Sequence, residues 1–291
     1  MKLNKNAESR ILIVGLGLLG GSYARALKKK GYTVYAIEPD EESLSYALRE
    51  GIIDAGSVKV REDWIQKASL TVFALYPHVF LEWIETYGNL FPAGAYLTDV
   101  TGVKGEVVRR VQARLPEGVE FIAAHPMAGR EVGGVKNSSD AIFHDANFIV
   151  VPTEKNTPQG IELCRELGRE LGFSSISLLS PEKHDEMIAI LSQLTHCIAV
   201  SLMCATDDPG LVNYTGDSFR DLTRIARIQE DMWTELFLLN REALLREMGR
   251  FEEALSRLHR AIQERDENTM KEMMRLSTAR RALFDRKGEK K

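Results

Sequence analysis

Cysteine is scarce in this sequence, and neither sign of charge is in large excess. Cys164, Cys197 and Cys204 are odd in number, share no metal-ligand spacing and lie in apolar helical patterns. We therefore expect small buried side chains in a reducing compartment rather than a disulfide or a metal site. The 38 Lys and Arg residues against 42 Asp and Glu residues leave a formal net charge of -4. Without a basic excess, nucleic acid and anionic membranes are excluded as partners of the whole chain, and a small molecule is favoured.

Long uninterrupted apolar runs are also missing. The longest lies around Cys197 to Ala205, is broken by Ser201, and is far short of the roughly 20 residues that a membrane helix needs. The opening MKLNKNAESR is polar and leads directly into a strand-like stretch, without the apolar region of an export signal. We therefore expect a cytoplasmic protein with no membrane partner.

What the sequence does have is an alternation of short apolar runs and amphipathic segments up to residue 180. This pattern is typical of a parallel sheet with crossover helices. Pro181 then opens a helical run to Ala205, and no strand signal follows. The sequence predicts an α/β domain over residues 1–180 and an all-helical domain over residues 181–291. Strands are predicted at Arg10 to Val14, Thr33 to Ile37, Leu70 to Leu75, Ala95 to Asp99, Glu120 to Ala124, Phe148 to Pro152 and Ser175 to Leu179, and helices at Val103 to Leu115, Gly160 to Leu171, Met232 to Met248, Arg250 to Arg265 and Glu267 to Asp285.

A glycine-rich turn follows the first predicted strand. Gly15, Gly17 and Gly20 form GLGLLG between RILIV and SYARALKKKG. In a dinucleotide-binding fold such glycines allow the tight turn, the close approach of the backbone to a pyrophosphate, and the packing of helix on strand. The helix N-terminus offers unpaired N–H groups to the phosphates. We therefore expect a Rossmann-like domain in which the whole turn contacts the cofactor, including Leu16, Leu18 and Leu19.

An acidic residue closes the second predicted strand. Glu38 lies at the end of VYAIE, beyond the glycines by about 20 residues, where a carboxylate accepts hydrogen bonds from the adenosine ribose. It also repels a 2′-phosphate, and Pro39 and Asp40 supply no arginine. NAD is therefore favoured over NADP, the alternative being that Glu38 is an ordinary surface acid.

Five motifs occur in the order GLGLLGGS, TDVTGVKG, HPMAGRE, HDEMIAILSQLTH and FRDLTRIA. Together they resemble the prephenate/arogenate dehydrogenase family over nearly the whole chain. The resemblance implies NAD-dependent oxidative decarboxylation of prephenate to 4-hydroxyphenylpyruvate, CO2 and NADH in tyrosine biosynthesis. Arogenate dehydrogenase is the alternative, because the two substrates differ only in a keto or amino group on the side chain.

The resemblance assigns two histidines to the active site. His125, in HPMAG at a predicted strand end, matches the catalytic histidine that contacts the ring hydroxyl, and a neutral imidazole can take that proton. His196 reads by itself as a core histidine, but the resemblance places it near the carboxylate-bearing side chain of the substrate. Gln193 stands where relatives often have a second histidine, and it can still donate a hydrogen bond to substrate.

The resemblance also assigns substrate-binding residues in and after FRDLTRIA. Arg224 matches a carboxylate-binding arginine, whose planar fork suits a bidentate clamp on a dicarboxylate. Arg220 is the second choice for that role. Trp233 corresponds to an aromatic residue that some relatives present to the neighbouring subunit's site, or else is an apolar helix residue.

The motif TDVTGVKG supplies the remaining candidates. Relatives commonly have a serine directly before VKG that touches the ring hydroxyl, whereas this chain has Gly102. Either Thr101 supplies that hydroxyl from one position back, or the contact is missing. Asp99 and Lys104 are expected to help position the cofactor, with a solvated side chain as the alternative for Lys104.

Two other functions compete with this assignment. β-Hydroxyacid dehydrogenases and pyrroline-carboxylate reductases share the architecture, but nothing requires them to carry HPMAG and TRIA in this order. A catalytically silent NAD(H)-sensing protein would keep the glycines and Glu38 without needing His125 or Arg224.

The helices beyond residue 180 carry more apolar stripes than one sheet domain can cover, which predicts a twofold homodimer through them. The family resemblance points to the same assembly. The apolar residues of these stripes are Ile188, Leu191, Leu194, Leu236, Leu239, Leu244, Leu255, Leu258, Met270, Met273 and Leu276.

Overall fold

The computed structural model describes residues 9–130 and 132–285. The chain packs as two compact units, one up to Arg241 and one from Glu242 onward. The first unit contains two sheets and the helices around them. The second contains most of α11 (Arg241–Gln263) and all of α12 (Glu267–Arg281).

A six-stranded sheet forms the centre of the first unit, and all of its strand pairs are parallel. The strand order is 3-2-1-4-5-6, which is the order of dinucleotide-binding folds. The order reverses between the first and fourth strands, so a crevice opens there beyond the carboxyl ends of the strands. The strands are β1 (Arg10–Val14), β2 (Thr33–Ile37), β3 (Ala55–Ser57), β4 (Ala68–Phe73), β5 (Tyr96–Asp99) and β6 (Glu120–Phe121).

Helices cover both faces of this sheet, and β1 shows how the core is divided. Ile11 and Ile13 belong to one buried cluster, whereas Leu12 and Val14 belong to a second. Successive side chains of a strand point to opposite faces, so a nearly continuous apolar run is what a strand buried on both faces requires. The helices of this part are α1 (Leu18–Lys29), α2 (Glu41–Arg49), α3 (Glu62–Ile65), α4 (Pro77–Tyr87), α5 (Gly105–Arg114) and α6 (Pro158–Leu171).

The turn from β1 into α1 depends on two of its three glycines. Gly15 has a φ of 94°, and a Cβ there would lie 2.6 Å from the carbonyl oxygen of Ala74. A Cβ on Gly20 would clash with the carbonyl oxygen of Gly15, so that α1 could not pack so closely on the strand end. A Cβ on Gly17 would meet no atom within 4 Å. The backbone at Gly17 is therefore open to an approaching group.

A second sheet has three strands, β7 (Ala123–Pro126), β8 (Asn147–Val151) and β9 (Ser175–Leu178). β7 runs antiparallel to β8, and β9 runs parallel to β8. The prediction of one strand from Glu120 to Ala124 is therefore wrong. The strand β6 ends at Phe121, and after Ile122 the chain continues in the second sheet as β7. The short β3, with the sequence AGS, was not predicted because it lacks strand-forming residues.

Beyond residue 180 the described chain is helical, as predicted, and the secondary structure changes where the domain boundary was expected. α7 (Pro181–Ile188) continues through a wider, π-type turn (Ala189–Gln193) into α8 (Leu194–Cys204). α9 (Asp217–Thr223) and α10 (Glu230–Leu239) follow. Compact packing nevertheless extends to Arg241, so these four helices belong to the unit that contains the sheets.

α10 is fixed to the sheet domain at two places. Glu235 accepts hydrogen bonds from the backbone N–H (2.5 Å) and Nδ1 (2.8 Å) of His78, at the N-terminus of α4. Leu236 lies against Gly102, just after β5. The prediction of one helix from Met232 to Met248 is wrong, since α10 ends at Leu239 and Gly249 lies inside α11. Asn240 follows α10, and its buried side chain donates hydrogen bonds to the carbonyl oxygen of Asp185 and to Oε1 of Gln193.

The helical run Pro181–Cys204 is 24 residues long and, by length and composition only, apolar enough to cross a membrane. This differs from the sequence expectation, which counted only the uninterrupted stretch after Cys197. The run also carries His184, Asp185 and Gln193, which are buried and hydrogen-bonded to protein groups. Only 28% of its most apolar window is buried, so the chain by itself leaves much of this surface uncovered.

Replacing Gly20 by Ala should lower the free energy of unfolding by roughly 1 to 3 kcal/mol, the cost of overpacking against a rigid backbone. Gly17→Ala is the matched control, because its new methyl group meets open space. We expect it to cost less than about 1 kcal/mol, since it changes only the helix N-cap. Urea unfolding followed by circular dichroism measures both values, and equal losses would contradict this account of the turn.

Candidate active site

The glycine turn and Glu38 meet at the carboxyl edge of the first sheet. The Oε2 atom of Glu38 accepts a hydrogen bond from the backbone N–H of Leu16 at 2.6 Å, and its Oε1 accepts one from the N–H of Asp40 at 3.0 Å. The carboxylate therefore lies beside the turn, where ribose hydroxyls could bind to it. Leu18 and Leu19 open α1, and the N–H groups of a first helical turn have no acceptor inside the helix. Together with the open space at Gly17, these groups fit a dinucleotide.

A fully buried ion pair joins the carboxyl end of β5 to the start of α5. Lys104 Nζ is 2.6 Å from Asp99 Oδ2, and both side chains are 0% exposed. The Thr101 hydroxyl contacts Asp99 and accepts a hydrogen bond from Lys104 at 3.1 Å. Burial lowers the pKa of Lys104, although the charge of Asp99 opposes this. The alternative of a solvated Lys104 is therefore wrong.

The same burial corrects the roles predicted for these three residues. Asp99 and Lys104 have no surface with which to touch a cofactor, and Thr101 is 3% exposed with its hydroxyl already bonded. Asp99 also accepts a hydrogen bond from the backbone N–H of Ala124 at 3.1 Å. These residues thus hold the end of β5, the start of α5 and β7 together beneath the site, rather than lining it.

His125 lies within β7, paired with Ile149 of β8, rather than in a loop after the strand. Its side chain is half-buried. Its Nδ1 is 2.9 Å from Nε2 of the fully buried His184, and Nδ1 of His184 is 2.8 Å from Oδ1 of Asp185. Burial is the main cause that holds the pKa of His125 well below its ordinary value of 6.5, and the charge of Lys104 acts in the same direction. The imidazole is therefore neutral at pH 7 and able to accept a proton.

His184 and Asp185 were not predicted as site residues, although both stand in the motif HDEMIAILSQLTH. Asp185 accepts hydrogen bonds from the backbone N–H groups of Lys104 and Gly105, each at 2.8 Å, where α5 begins. The sequence signal was a histidine and an acid one helical turn after Pro181, at the start of a helical run that becomes mainly apolar from Met187 onward. Their contact with His125 joins residues 59 positions apart, and no local pattern reveals that.

Gly102 lies directly beside His125. A Cβ at Gly102 would be 4.0 Å from Cε1 of His125 and 3.4 Å from Cδ2 of Leu236. The position where relatives commonly have a serine therefore faces the imidazole. In this chain it presents no hydroxyl, and the buried Thr101 does not replace one.

His196 and Trp233 form a stacked pair. Their ring centroids are 3.7 Å apart, with 30° between the ring planes, and His196 Nδ1 donates to the carbonyl oxygen of Ser192 at 2.8 Å. Trp233 and Leu236 are three residues apart on α10, so they lie on neighbouring parts of one helix face. The pair is therefore connected through α10 to the surroundings of His125. Trp233 contacts His196 of its own chain, and its contact with a partner's site remains a prediction.

Gln193 does not face a substrate in this structure. Its Oε1 accepts a hydrogen bond from Asn240 Nδ2 at 2.7 Å, and its Nε2 donates to the carbonyl oxygen of Leu236 at 2.8 Å. The side chain is almost completely buried. The predicted substrate contact is therefore corrected, because the amide is used to fix the end of α10 to the π-type turn.

Arg224 begins the short turn that follows α9, and this turn packs against α8, the helix of His196. Arg224 lines a cavity of about 680 Å³ together with Arg220, Arg227 and apolar side chains that include Met203 and Phe219. Arg220 is also bonded within its own loop, to the carbonyl oxygen of Thr215 at 3.2 Å. The cavity combines guanidinium groups with apolar walls, which suits an organic anion.

Among the residues described, no group of three or more His, Cys, Asp or Glu side chains could hold a metal ion. The chemistry available here is a neutral imidazole, a glycine turn that fits a dinucleotide, and arginines on the helical side. Such a set serves proton transfer and anion binding.

Several known proteins with similar sequences or structures are named prephenate dehydrogenase. The "Prephenate dehydrogenase" of Bacillus subtilis is 28% identical over 89% of this chain and 71% of its own length. That of Lactococcus lactis is 32% identical over 88% of this chain and 72% of its own length. The crystal structure of prephenate dehydrogenase from A. aeolicus, in complex with hydroxyphenyl propionate and NAD+, superposes with a TM-score of 0.86. It is 29% identical and covers 96% of this chain and 100% of its own.

Family comparison divides the chain near the place where its secondary structure changes. Residues 23–177 match the family described as "Prephenate dehydrogenase, nucleotide-binding domain". Residues 180–276 match the one described as "Prephenate dehydrogenase, dimerization domain". With both domains matched in this order around the geometry described above, the chain belongs to the prephenate dehydrogenase family.

Proposed function

We propose that this chain oxidises prephenate with NAD+ to 4-hydroxyphenylpyruvate, CO2 and NADH, with His125 as the catalytic base. The observation that carries the proposal is the half-buried, neutral imidazole of His125, held beside Gly102 at the edge of the sheet where the glycine turn lies. Family membership supplies the substrate class, and tyrosine biosynthesis is the pathway that such a reaction serves.

In the proposed reaction, His125 carries the proton of the ring hydroxyl. His125 takes the proton of the ring hydroxyl while the carbon that bears this hydroxyl loses its hydrogen with two electrons. NAD+, when bound, is the acceptor of that hydride. The bond to the ring carboxylate then breaks, CO2 leaves, and its electron pair completes the aromatic ring. His125 returns its proton to the developing phenolate, so that the overall reaction releases no proton.

Two further residues are assigned to the side chain of the substrate. Arg224 binds a carboxylate, because a guanidinium in a cavity with apolar walls forms strong bidentate pairs. His196 contacts the pyruvyl end, with its ring held by Trp233 and by the carbonyl of Ser192. Binding at this end keeps the ring hydroxyl against His125, and such positioning lowers the barrier for proton and hydride transfer. Arogenate, with an amino group in place of the keto group, is the alternative substrate.

We also propose that the active form is a cytoplasmic homodimer. Ile190, Leu191 and Leu238 are large apolar side chains of the α7–α10 region that remain exposed, and a second copy would cover them. The free thiols fit a reducing compartment, and burial raises the pKa of the Cys164 thiol to about 12. In this proposed dimer, Trp233 also approaches the partner's site, in addition to its contact with His196 of its own chain.

His125→Asn should lower kcat by roughly 100-fold or more, because an amide cannot take the hydroxyl proton. The dissociation constant for NAD+ should not change. Steady-state NADH formation with prephenate and calorimetry with NAD+ measure the two quantities, and arogenate is assayed in parallel. His144→Asn is the matched control, since His144 is an exposed residue before β8 and is not one of the proposed site residues. Near-normal turnover of His125→Asn would remove His125 from this role.

Arg224→Ala should raise the KM for prephenate strongly, with a loss on the order of 2 to 5 kcal/mol if the carboxylate pair is desolvated. Arg227→Ala is the control from the same cavity, and we expect a smaller change in KM. Arg220→Ala tests the second choice for the clamp. A larger effect at Arg220 than at Arg224 would move the carboxylate site to Arg220.

Light scattering at micromolar concentration should give about twice the 32.7 kDa of the chain. Leu191→Glu, which places a charge at a 48% exposed position on the apolar surface, should shift the mass toward the monomer. Leu48→Glu, at a 42% exposed position on α2, is the matched control and should remain dimeric. A fully active monomer would refute the assembly.

A further inference from the structure

A chain of hydrogen bonds leads from the N-terminus of α5 to His125. Asp185 accepts from Lys104 N and Gly105 N, His184 Nδ1 lies 2.8 Å from Asp185 Oδ1, and His184 Nε2 lies 2.9 Å from His125 Nδ1. His184 has no exposed surface. The middle member, His184, is therefore held by protein partners at both ring nitrogens, and solvent does not reach it.

The direction of these hydrogen bonds follows from the chemistry of their ends. The Asp185 carboxylate accepts hydrogen bonds from Lys104 N and Gly105 N at the start of a helix of ten residues, and a carboxylate can only accept. Nδ1 of His184 must then donate to it. A neutral imidazole carries one N–H, so Nε2 of His184 is the acceptor. Nδ1 of His125 must therefore carry a hydrogen, which leaves Nε2 of His125 with its lone pair free to take a proton.

We propose that His184 and Asp185 are positioning residues that hold His125 as the Nδ1–H tautomer, so that Nε2 is the atom that takes the hydroxyl proton. The inference rests on the proposed function, in which His125 is the base. As Nε2 takes the proton, the charged ring keeps its Nδ1–H bond to His184, and the Asp185 carboxylate stands behind it. This is the arrangement by which a carboxylate orients a catalytic histidine, here with one imidazole inserted between them.

The neutral state of His184 is a condition of this scheme, because a charged His184 would donate from both nitrogens and could not accept from His125. The ionisable groups that act on it are Asp185, Lys104 and Asp99. Burial, assisted by the charge of Lys104, lowers the pKa of His184 despite its hydrogen bond to Asp185. His184 is thus neutral at pH 7.

The tautomer can be measured without turnover. The chain contains six histidines, so labelling with 15N-histidine and long-range proton–nitrogen correlation spectra at pH 7 resolves their ring nitrogens, with His125→Asn assigning His125. We expect the Nδ1–H form in the wild-type chain. The orientation of Asp185→Asn that keeps the bond from Gly105 N turns the side-chain amide toward His184 Nδ1, to which it donates. His184 then donates from Nε2, and His125 is driven to the Nε2–H form.

Kinetics separate this role from a packing role. His184→Leu fills the space but cannot accept from His125, so kcat should fall by roughly 100-fold or more, while the KM for prephenate and the affinity for NAD+ change little. His184→Gln can accept from His125 and donate to Asp185. We therefore expect it to restore kcat to within about tenfold of the wild-type value.

The outcomes are distinct. An Nε2–H tautomer of His125 in the wild-type chain, or wild-type kcat in His184→Leu, would overturn the proposal. Should His184→Leu fail to fold, the wild-type spectrum still decides. A chain that does not oxidise prephenate but shows the Nδ1–H form, lost in Asp185→Asn, would refute the proposed function and leave the positioning of His125 supported.

Discussion

The buried ion pair of Asp99 and Lys104 is the interaction on which the site geometry depends. Removing two charges from water is costly, and only close contact with further hydrogen bonds compensates for it. Asp99 obtains those bonds from Lys104, Thr101 and Ala124. These three belong to the start of α5, the preceding turn and β7, so satisfying one carboxylate fixes three segments. His125, directly after Ala124, inherits its position from this arrangement.

Patterns local to one segment predicted most of the fold. β1 and β2 have the predicted ends, because a short apolar run between turn residues has few alternative readings. The glycine turn and Glu38 were also predicted from local patterns, because they directly follow these two strands. The break at Ile122 was missed, because apolar residues on both sides of it look like one strand. The end of α10 was missed too, and the side chain of Asn240, which follows it, bonds to Asp185 and Gln193, which are distant in sequence.

In the site, too, local patterns predicted some residues, whereas contacts between distant residues were missed. Residue type and motif predicted His125 and Arg224 as site residues, but they did not show which polar residues are buried against the protein itself. Gln193 and Lys104 look like ligand-binding residues in the sequence, yet the structure buries both against protein partners. His184 looks like an ordinary helical residue and proves to contact His125. Polar groups in an apolar helix must be bonded somewhere, and only the tertiary structure shows whether the partner is a substrate or the protein itself.

The π-type turn at Ala189–Gln193 sets the rotational phase of α8. Such a turn holds one residue more than the α-helical turn it replaces, and each helical residue advances the ring of side chains by about 100°. The extra residue therefore decides which side chains of α8 face α10. Without it, His184 and Asp185 would keep their direction, whereas His196 would point about a third of a turn away from Trp233. One inserted residue thus lets a single helical run serve two sides of the site with different orientations.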